Sequence, residues 1–466
     1  MIFLGKGASF VRRIIHAMIS IALRLFFRRI EAVNVERVPP TGPLLFVLNH
    51  PNGLVDPALV FVSMPRRVSF LAKSTLYDNP IGAFLLRTFE ILPIYRRIDA
   101  EAKEETNAVT FDNCYELLRL GRCIAIFPEG ISHDHPQLQK IKTGAARIAL
   151  GSVSKTTSPT GNSLPSGESS EEVLKIVPVG LYYTSKTSFR SEALIRYGEV
   201  FEVEATDLDI NGEPPRDAVL KLTAMIEQSL RDVTLNIGTE TELDTILKAE
   251  ALFSSVYENI IFKQTLTQTV IRLQGFAEKY TLLEKNDPQK MDDLKAKVDR
   301  YEDNLKASGV TTESLSVLQH PTLHVFRYLI LRGLFLIIFA PLATVGAIIH
   351  SPAYLFSNLL GKLFKTHDND VAGSSSTIIA ALGLMPLTWL VVALTTWYFS
   401  DWQVALVSIP MTIFAGYIAL RSSETLIDMR VWLRSAWLLF RQRGLFLRLL
   451  VQRENLKNEI GRIVEK

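Results

Sequence analysis

The stretch LLFVLNHPNGLVD, residues 44–56, decides how the first half of the chain folds. It joins an uninterrupted apolar run, Leu44 to Leu48, to a polar turn that carries His50 and Asp56. A short apolar run that ends in turn residues predicts a buried strand. Polar turns at strand ends are where α/β sheets present catalytic groups, and a histidine with a nearby carboxylate is a common general base and its orienting partner. We therefore predict an α/β fold with a general base at the end of this strand.

A second stretch, FPEGIS, residues 127–132, follows another apolar run, Cys123 to Phe127, that also predicts a buried strand. The Gly-x-Ser-x-Gly elbow that carries the nucleophile of α/β hydrolases does not occur in the sequence. A histidine–aspartate pair without a protein nucleophile indicates that the attacking group is a hydroxyl of the substrate.

Two further blocks complete a recognisable order: LPIYRR, residues 92–97, and IVPVG, residues 176–180. With the His50–Asp56 block and the Phe-Pro-Glu-Gly block, the chain resembles the glycerophospholipid acyltransferase family, of the glycerol-3-phosphate and lysophosphatidate type. The resemblance covers roughly residues 39–203. It implies a mixed α/β acyltransferase domain and transfer of a fatty acyl group to a hydroxyl of glycerol-3-phosphate or 1-acylglycerol-3-phosphate.

The resemblance also implies roles for the two residues of the first block. His50 would be the general base, and Asp56 would accept a hydrogen bond from its ring and fix the tautomer. The residues alone leave simpler alternatives open. His50 could cap a turn, and Asp56 before Pro57 is a good N-cap for a helix that starts with proline.

Substrate binding is implied for the other blocks. Arg96 occupies the family's phosphate-binding position, with Arg97 as the neighbouring alternative, because a guanidinium grips phosphate with two hydrogen bonds. A surface arginine pair is the simpler interpretation. Glu129 and Gly130 would position the acceptor, and Pro178 with its apolar neighbours would form the acyl-binding block.

The chain departs from the family pattern in two places. Five residues instead of four separate His50 from Asp56, and we expect Gly53 to absorb the extra residue in a conformation that other residues avoid. Ile131-Ser132 stands where the family commonly has Thr-Arg, so Lys142 or Arg147 is expected to replace the missing phosphate contact.

The expected partners follow from the resemblance. The acyl donor would be acyl-CoA or acyl-carrier protein, acting as a co-substrate, with no further cofactor and with membrane lipids around the enzyme. His133-Asp134-His135 is a weak metal signal and is interpreted as a polar loop, so no metal site is predicted. A formal net charge of +3 gives no reason to expect nucleic acid.

Composition points to a membrane protein, and the low cysteine count fits a reducing compartment or a membrane that faces one. Hydrophobic residues make up 48% of the chain, which is high for a soluble protein. The two cysteines, Cys114 and Cys123, form no disulfide framework. Neither is expected to be catalytic, because one lies in a helical pattern and the other begins a strand.

The pattern along the chain predicts five regions. They are an amphipathic membrane-associated helix (1–37), the acyltransferase domain (38–235) with a flexible insertion at 152–170, a helical region with a hairpin (236–325), membrane segments (326–425), and an amphipathic tail (426–466). In the first helix, a polar stripe with Arg13, His16 and Ser20 is expected to lie opposite an apolar face on the membrane surface. The tail, residues 429–453, is expected to be a second interfacial helix.

Three apolar segments near the C-terminus are candidates for the membrane. Residues 377–399 and 402–420 carry no charge and approach the ~20 residues needed to cross a bilayer. The positive-inside rule places all their basic flanks on the cytoplasmic side. Leu334 to Leu360 should then enter and return, broken at Pro341 and Pro352. Three full spans are the alternative.

Two other functions remain open at this level. A transporter built on the C-terminal segments is disfavoured because the two clear spans lack charged residues. A catalytically inactive lipid-binding scaffold on the same fold is disfavoured because His50, Asp56 and Glu129 occur together. The leading prediction is an integral membrane O-acyltransferase with its catalytic domain on the cytoplasmic face.

Overall fold

The structure, a computed structural model, describes residues 10–77, 91–94, 104–157, 173–186, 188–210, 212–253, 265–312, 315, 322–363 and 370–464. It divides into two compact units. The α/β unit comprises residues 1–236 and 364–375, and the helical unit comprises residues 237–363 and 376–466.

The α/β unit is built on one mixed sheet. Its strands among the described residues are β1 (Arg29–Val33), β2 (Leu44–Leu48), β3 (Val68–Lys73), β4 (Leu92–Ile94), β5 (Cys123–Ile126), β6 (Lys175–Tyr183), β7 (Glu192–Tyr197) and β8 (Phe201–Glu202). The spatial order is β1-β7-β6-β2-β5-β3-β4, with β8 also paired to β6. The fold class predicted from the sequence is confirmed.

Strand β2 lies at the centre of this sheet. It runs parallel to β5 on one side and to β6 on the other, and all five of its residues are fully buried. Because the three strands are parallel, their carboxyl ends meet at one edge of the sheet. The polar turns that follow β2 and β5 therefore lie side by side.

Helices cover the sheet: α1 (Phe10–Phe26), α2 (Val55–Ser63), α3 (Glu104–Arg119), α4 (Gly144–Thr157) and α5 (Arg216–Val233). One core cluster joins them to the strands, with buried residues such as Leu118 of α3, Ile148 of α4 and Ile226 of α5 packed against Ile124 and Ile176. Cys114, which was expected in a helical pattern, lies in α3.

The expected flexible insertion at 152–170 is wrong at its start, because α4 continues to Thr157. Ser152 and Ser154 are buried, and the Ser154 hydroxyl accepts a hydrogen bond from the amide of Thr206 at 3.0 Å. Packing thus extends a helix through a segment whose composition is typical of a loop. Residues 158–172 lie outside the described part.

Helix α1 is amphipathic, but the residues of the expected polar stripe do not share one environment: Arg13 is exposed, whereas His16 and Ser20 are buried. Its polar residues Arg12, His16 and Ser20 are buried, and the His16 ring lies 5.2 Å from that of Phe61 in α2. The exposed apolar residues are Phe10, Ile14, Met18 and Ile21. The helix therefore packs His16 and Ser20 inward and exposes both apolar side chains and the arginines Arg13 and Arg24. Its place on a membrane surface stays a prediction.

The remaining helices are α6 (Glu240–Phe253), α7 (Leu266–Asn286), α8 (Pro288–Ser308), α9 (Thr322–Leu363), α10 (Asp370–Phe399), α11 (Trp402–Arg441) and α12 (Arg443–Val464). All belong to the helical unit, α10 from Ser376 onward. The predicted hairpin is present as α7 and α8. Asp287 separates the two helices and caps α8 by accepting from the amide of Lys290 at 3.1 Å.

The expected interfacial helix at 429–453 is divided between the end of α11 and the start of α12, and its place on a membrane surface stays a prediction. Helix α12 packs against α6, α7 and α8, and its Phe446, Leu449 and Ile460 are buried. Lys297 of α8 pairs with Glu459 of α12 at 2.9 Å. Phe446 and Leu449 of the expected tail are therefore part of the core of the helical unit, whereas Trp437 and Phe440 are exposed.

Three of these helices are long and apolar enough to cross a membrane: Leu329–Leu363 within α9, Ser376–Phe399 within α10 and Trp402–Arg430 within α11. They support membrane association of the chain. Only Ser400 and Asp401 separate α10, which ends at Phe399, from α11, which begins at Trp402.

The expected re-entrant turn in Leu334–Leu360 is wrong. Helix α9 runs without interruption for 42 residues and carries Pro341 and Pro352 in its interior. A proline removes one backbone hydrogen bond, but turning back in an apolar environment would leave many more donors and acceptors unpaired. The continuous helix therefore has the lower free energy.

Candidate active site

The site is built around a contact between His50 and Asp56. His50 follows the carboxyl end of β2, and Asp56 lies in the first turn of α2. The imidazole Nδ1 lies 2.8 Å from Asp56 Oδ2. Gly53 takes a positive φ of 36°, which lets the chain close a loop one residue longer than the family's usual one.

The helix-capping alternative for Asp56 does not describe the structure. Helix α2 begins at Val55 with Leu54 in the N-cap position, and Leu54 makes no side-chain cap. The Asp56 carboxylate instead accepts from the amide of Asn52 at 2.7 Å, which precedes the helix. The carboxylate also lies in the first helical turn, near the positive end of the helix dipole.

Tyr183 is a site residue that sequence reasoning missed. It is the last residue of β6, and its hydroxyl donates to Asp56 Oδ1 at 2.5 Å. Asp56 is completely buried, and both of its oxygens are engaged. A contact between Tyr183 and the His50–Asp56 turn could have been predicted only from the parallel pairing of β2 and β6, which brings the carboxyl ends of both strands to the same edge of the sheet.

The His50 ring is held by its neighbours and open on one side. The Phe127 ring stacks on it with centroids 4.1 Å apart and planes 19° from parallel. Since a carboxylate can only accept, Nδ1 carries the proton in the pair with Asp56. The side chain is 17% exposed, and Nε2 makes no hydrogen bond to any described residue, so it is available to take a proton.

Glu129 links the two polar turns. It is 2% exposed, and its Oε1 accepts from the backbone amide of His50 at 2.8 Å. Its Oε2 accepts from His133 Nε2 at 2.5 Å and from the amide of Gln139 at 2.7 Å. The carboxylate thus fixes the backbone that carries His50, and its expected contact with an acceptor hydroxyl stays a prediction.

Gly130 permits a close approach at the same turn. It has φ of 69°, and the Lys142 ammonium would lie only 2.5 Å from a Cβ at this position. Lys142 is exposed, and its amide donates to the carbonyl of Pro128 at 2.8 Å. The structure therefore places a cation beside the block in which the family's usual arginine is missing. Arg147, the other candidate, faces Glu213 instead, at 3.7 Å.

Two asparagines hold the first turn against β6 and the loop that follows it. The side chain of Asn49 bonds both the carbonyl and the amide of Leu181, at 3.0 and 2.7 Å. Asn52 is buried and donates to the carbonyl of Lys186 at 3.1 Å. The Lys186 ammonium pairs with Asp134 at 3.0 Å, so this loop also reaches the His133–His135 segment.

The remaining expected site residues are less informative. Arg96 and Arg97 lie outside the described residues. Pro178 is buried inside β6, where it pairs with Val47 of β2, and its role in acyl binding stays a prediction. Among the described residues, no cluster of His, Cys, Asp and Glu could hold a metal ion.

Both cysteines are free and buried. Burial raises the pKa of the Cys114 thiol to about 12 and, as the main cause, the pKa of the Cys123 thiol to about 11. Each therefore stays a neutral thiol at physiological pH, in agreement with a structural role.

Two family models match parts of the chain. Residues 29–181 match the family model described as Acyltransferase. Residues 252–466 match the model described as Glycerol-3-phosphate acyltransferase 2 C-terminal domain. The first match runs from β1 through most of β6 and so includes the complete dyad.

Curated relatives carry related names. Glycerol-3-phosphate O-acyltransferase 2 of Saccharomyces cerevisiae is 31% identical over 259 residues, which are 54% of this chain and 32% of that protein. Glycerol-3-phosphate O-acyltransferase 1 of the same yeast is 24% identical over 462 residues, covering 78% of this chain and 58% of that protein. The chain thus spans less than two thirds of either relative.

Two more distant likenesses concern the acyltransferase domain. A chloroplastic 1-acyl-sn-glycerol-3-phosphate acyltransferase of Arabidopsis thaliana is 27% identical over 146 residues, covering 30% of this chain and 39% of that protein. The crystal structure of the 1-acyl-sn-glycerophosphate acyltransferase of Thermotoga maritima aligns with a TM-score of 0.32 at 16% identity, over 50% of this chain and 84% of that one.

Proposed function

We propose that this chain, which belongs to the glycerophospholipid acyltransferase family, transfers a fatty acyl group from an acyl thioester to a hydroxyl of glycerol-3-phosphate. The 2.8 Å contact between His50 Nδ1 and Asp56 Oδ2 carries the proposal. It leaves Nε2 facing outward as a base, at the sheet edge where parallel strands present their polar turns.

The reaction needs no protein nucleophile. His50 Nε2 takes the proton of the acceptor hydroxyl as its oxygen attacks the thioester carbonyl. The C–O bond forms, the C–S bond breaks, and the proton on Nε2 passes to the departing thiolate. Asp56 keeps the imidazole in the tautomer that has its lone pair on Nε2 and stabilises the imidazolium that forms.

The comparisons favour glycerol-3-phosphate over 1-acylglycerol-3-phosphate as the acceptor. Both yeast relatives are named glycerol-3-phosphate O-acyltransferases, and the C-terminal match carries the same substrate in its description. The chloroplastic relative, named for 1-acyl-sn-glycerol-3-phosphate, is similar over only 30% of this chain. The second acceptor remains the alternative substrate.

The donor and the orientation complete the proposal. The donor is acyl-CoA or acyl-carrier protein, and the α/β unit lies on the cytoplasmic face, where such donors occur. The exposed apolar residues of α1, among them Ile14, Met18 and Ile21, would keep the site near the membrane that holds the acyl chains and receives the product.

The test is product formation by the full-length chain purified in lipid nanodiscs. Labelled acyl-CoA would be offered with glycerol-3-phosphate, 1-acylglycerol-3-phosphate or glycerol. We expect acylated product with glycerol-3-phosphate, and we expect His50→Ala to reduce the rate on the order of a hundredfold or more. A variant that folds normally and keeps wild-type turnover would remove His50 as the base. Failure of every acceptor would favour the inactive scaffold.

A further inference from the structure

The carboxylate of Asp56 is held from two sides. Oδ2 accepts from His50 Nδ1 and from the amide of Asn52, and Oδ1 accepts from the hydroxyl of Tyr183. Asp56 has no exposed surface. A buried polar group needs such hydrogen-bond partners, and Tyr183 supplies the one that bonds the oxygen turned away from His50.

We propose that Tyr183 is a positioning residue of the proposed acyl transfer, which acts through Asp56 to set the orientation and the basicity of His50. The inference rests on the proposed function for its kinetic consequences but not for its effect on the titration of His50. Tyr183 does not need to touch either substrate.

The surroundings of Tyr183 keep its hydroxyl protonated and directed at Asp56. Burial, together with the charge of Asp56 and the hydrogen bond to it, raises the pKa of Tyr183 well above its ordinary value, so the hydroxyl stays protonated. The ring stacks on Phe27 with centroids 5.6 Å apart and planes 26° from parallel. The backbone at Tyr183 pairs with Ala193 of β7. The phenol is therefore held at both its ring and its backbone.

Tyr183 affects His50 because both bond the same carboxylate, that of Asp56. A donor on Oδ1 draws negative charge away from Oδ2 and weakens the stabilisation of a protonated His50. Without the donor, more charge faces Nδ1, and the imidazolium becomes more stable. Removal of the Tyr183 hydroxyl should therefore raise the pKa of His50 and leave less of the base free at neutral pH.

Other charged groups around the dyad must be held constant. Glu129 accepts from the amide of His50 and from His133. Lys186 and Asp134 pair with each other at 3.0 Å. None of these residues changes in the variants below, so a shift in the titration of His50 reports on the bond between Tyr183 and Asp56.

The decisive variant is Tyr183→Phe, with Tyr197→Phe as the matched control. Tyr197 is also fully buried, and its hydroxyl contacts the sulfur of Met64 at 3.3 Å rather than Asp56. Each substitution deletes one buried phenol oxygen from a neighbouring strand. Loss of packing or of a buried hydroxyl would affect both variants, whereas the dyad is affected only by the first.

The first measurement does not depend on activity. Diethyl pyrocarbonate reacts with neutral imidazole, so the rate at which His50 is modified as a function of pH, followed by peptide mass spectrometry, gives its pKa. We expect Tyr183→Phe to move the midpoint upward by about half a unit to one unit of pH, and Tyr197→Phe to leave it in place. An unmoved midpoint in Tyr183→Phe overturns the proposal, even if no acceptor substrate is ever found.

The second measurement is kinetic, on the full-length chain in nanodiscs. Tyr183→Phe should lower kcat on the order of tenfold, as expected for one hydrogen bond to a charged group, with KM for both substrates nearly unchanged. The acidic limb of the pH–rate profile should move upward with the His50 midpoint. A lower kcat with an unmoved limb would show that the tyrosine is merely structural.

If Tyr183→Phe does not fold, 3-fluorotyrosine introduced at position 183 decides the question. It keeps the ring and the hydroxyl but is a more acidic, stronger donor. The His50 midpoint should then move downward, opposite to the shift expected for Tyr183→Phe. No shift, or an upward shift, would contradict the proposal.

Discussion

The backbone amide of His50 donates to the side chain of Glu129 across 79 positions of sequence, at 2.8 Å. The same carboxylate accepts from His133 and from the amide of Gln139. The His50–Asp56 block and the Phe-Pro-Glu-Gly block are therefore one structural element. Within it, the buried carboxylate of Glu129 holds the turn that presents His50. Glu129 accordingly contributes to the site even before any substrate binds.

Glu129→Gln should destabilise the protein and slow the reaction. A glutamine has one acceptor and one donor where the site offers three donors, so at least one buried donor faces the NH2 group. The cost is about 1–3 kcal/mol of unfolding free energy. Chemical denaturation of the α/β unit and kcat of the folded variant would measure the two effects. As a control, Glu199→Gln changes a carboxylate whose side chain is 86% exposed and should change neither.

The outcome that would contradict this role is a Glu129→Gln protein of wild-type stability and kcat with a raised KM for the acceptor. Glu129 would then act on substrate alone, as the resemblance to the family implied. A structural role of Glu129 would thus change stability and kcat, whereas a role in substrate binding alone would change KM for the acceptor.

Acceptor binding should depend on a cation at the phosphate position. Arg96→Ala is expected to raise the KM for glycerol-3-phosphate far more than that for the acyl donor, since one charged hydrogen bond is worth about 1.5–3 kcal/mol. Arg97→Ala tests whether the neighbouring arginine binds the phosphate instead. Lys142→Ala should give a smaller defect of the same kind, because its ammonium lies over Gly130 in the turn that lacks the family's arginine.

Steady-state kinetics with the acceptor and the donor varied in turn would measure these effects, and Arg147→Ala serves as the control for Lys142→Ala. An unchanged acceptor KM in all three test variants would place phosphate binding elsewhere. A defect in Arg147→Ala equal to that in Lys142→Ala would indicate a general effect of surface charge.

The buried thiols should not react in the native protein. With a pKa of about 11 for Cys123 and about 12 for Cys114, only about one thiol in a thousand is ionised at pH 8 even for Cys123, and the thiolate is the reactive form. N-ethylmaleimide should leave activity intact at neutral pH, and labelling should rise with pH and on denaturation. Rapid inactivation that is abolished in Cys114→Ala or Cys123→Ala would contradict this.

Local patterns were enough to predict the elements that form the site. The apolar run at Leu44–Leu48 and the break at Asp287-Pro288 each determine a short-range structure, so β2 and the α7–α8 hairpin were predicted correctly. The dyad was also predictable, because Gly53 lies inside the same loop and its freedom is local.

What sequence reasoning missed is set by contacts between distant segments. The bond from Tyr183 to Asp56 spans 127 positions and depends on which strands pair. The buried His16 and Ser20 could not be distinguished from an exposed stripe without knowing that α2 packs there. Proline signals a helix break in water, but Pro341 lies within an apolar helix where breaking costs more than the missing bond.

Within the helical unit, α9 and α11 run in opposite directions. Arg332 of α9 bonds Thr425 of α11 at 3.2 Å, whereas Gly346, further along α9, meets the backbone of Ala415, earlier in α11. A Cβ at Gly346 would lie 2.1 Å from the carbonyl oxygen of Ala415. Such close backbone approach at small residues is how helices associate in membranes.

This pairing limits the membrane topology. Helix α12 follows α11 and packs against α7 and α8, which precede α9, as the bond between Lys297 and Glu459 shows. The segments before and after the apolar helices therefore lie on one side. An odd number of complete crossings would separate them, so we expect an even number.

Impermeant thiol labelling of a protein with Cys114 and Cys123 replaced by alanine tests this topology. Single cysteines at Lys285, before α9, and Asn458, in α12, should label from the same side. Ser400, between α10 and α11, should label only from the opposite side. A cysteine at Glu204 reports the side of the α/β unit, which we expect to be the cytoplasmic one. All four positions are exposed, and each should label fully after detergent solubilisation. If Lys285 and Asn458 label from opposite sides, the number of complete crossings is odd and the packing of α12 on α7 and α8 does not exist in the membrane.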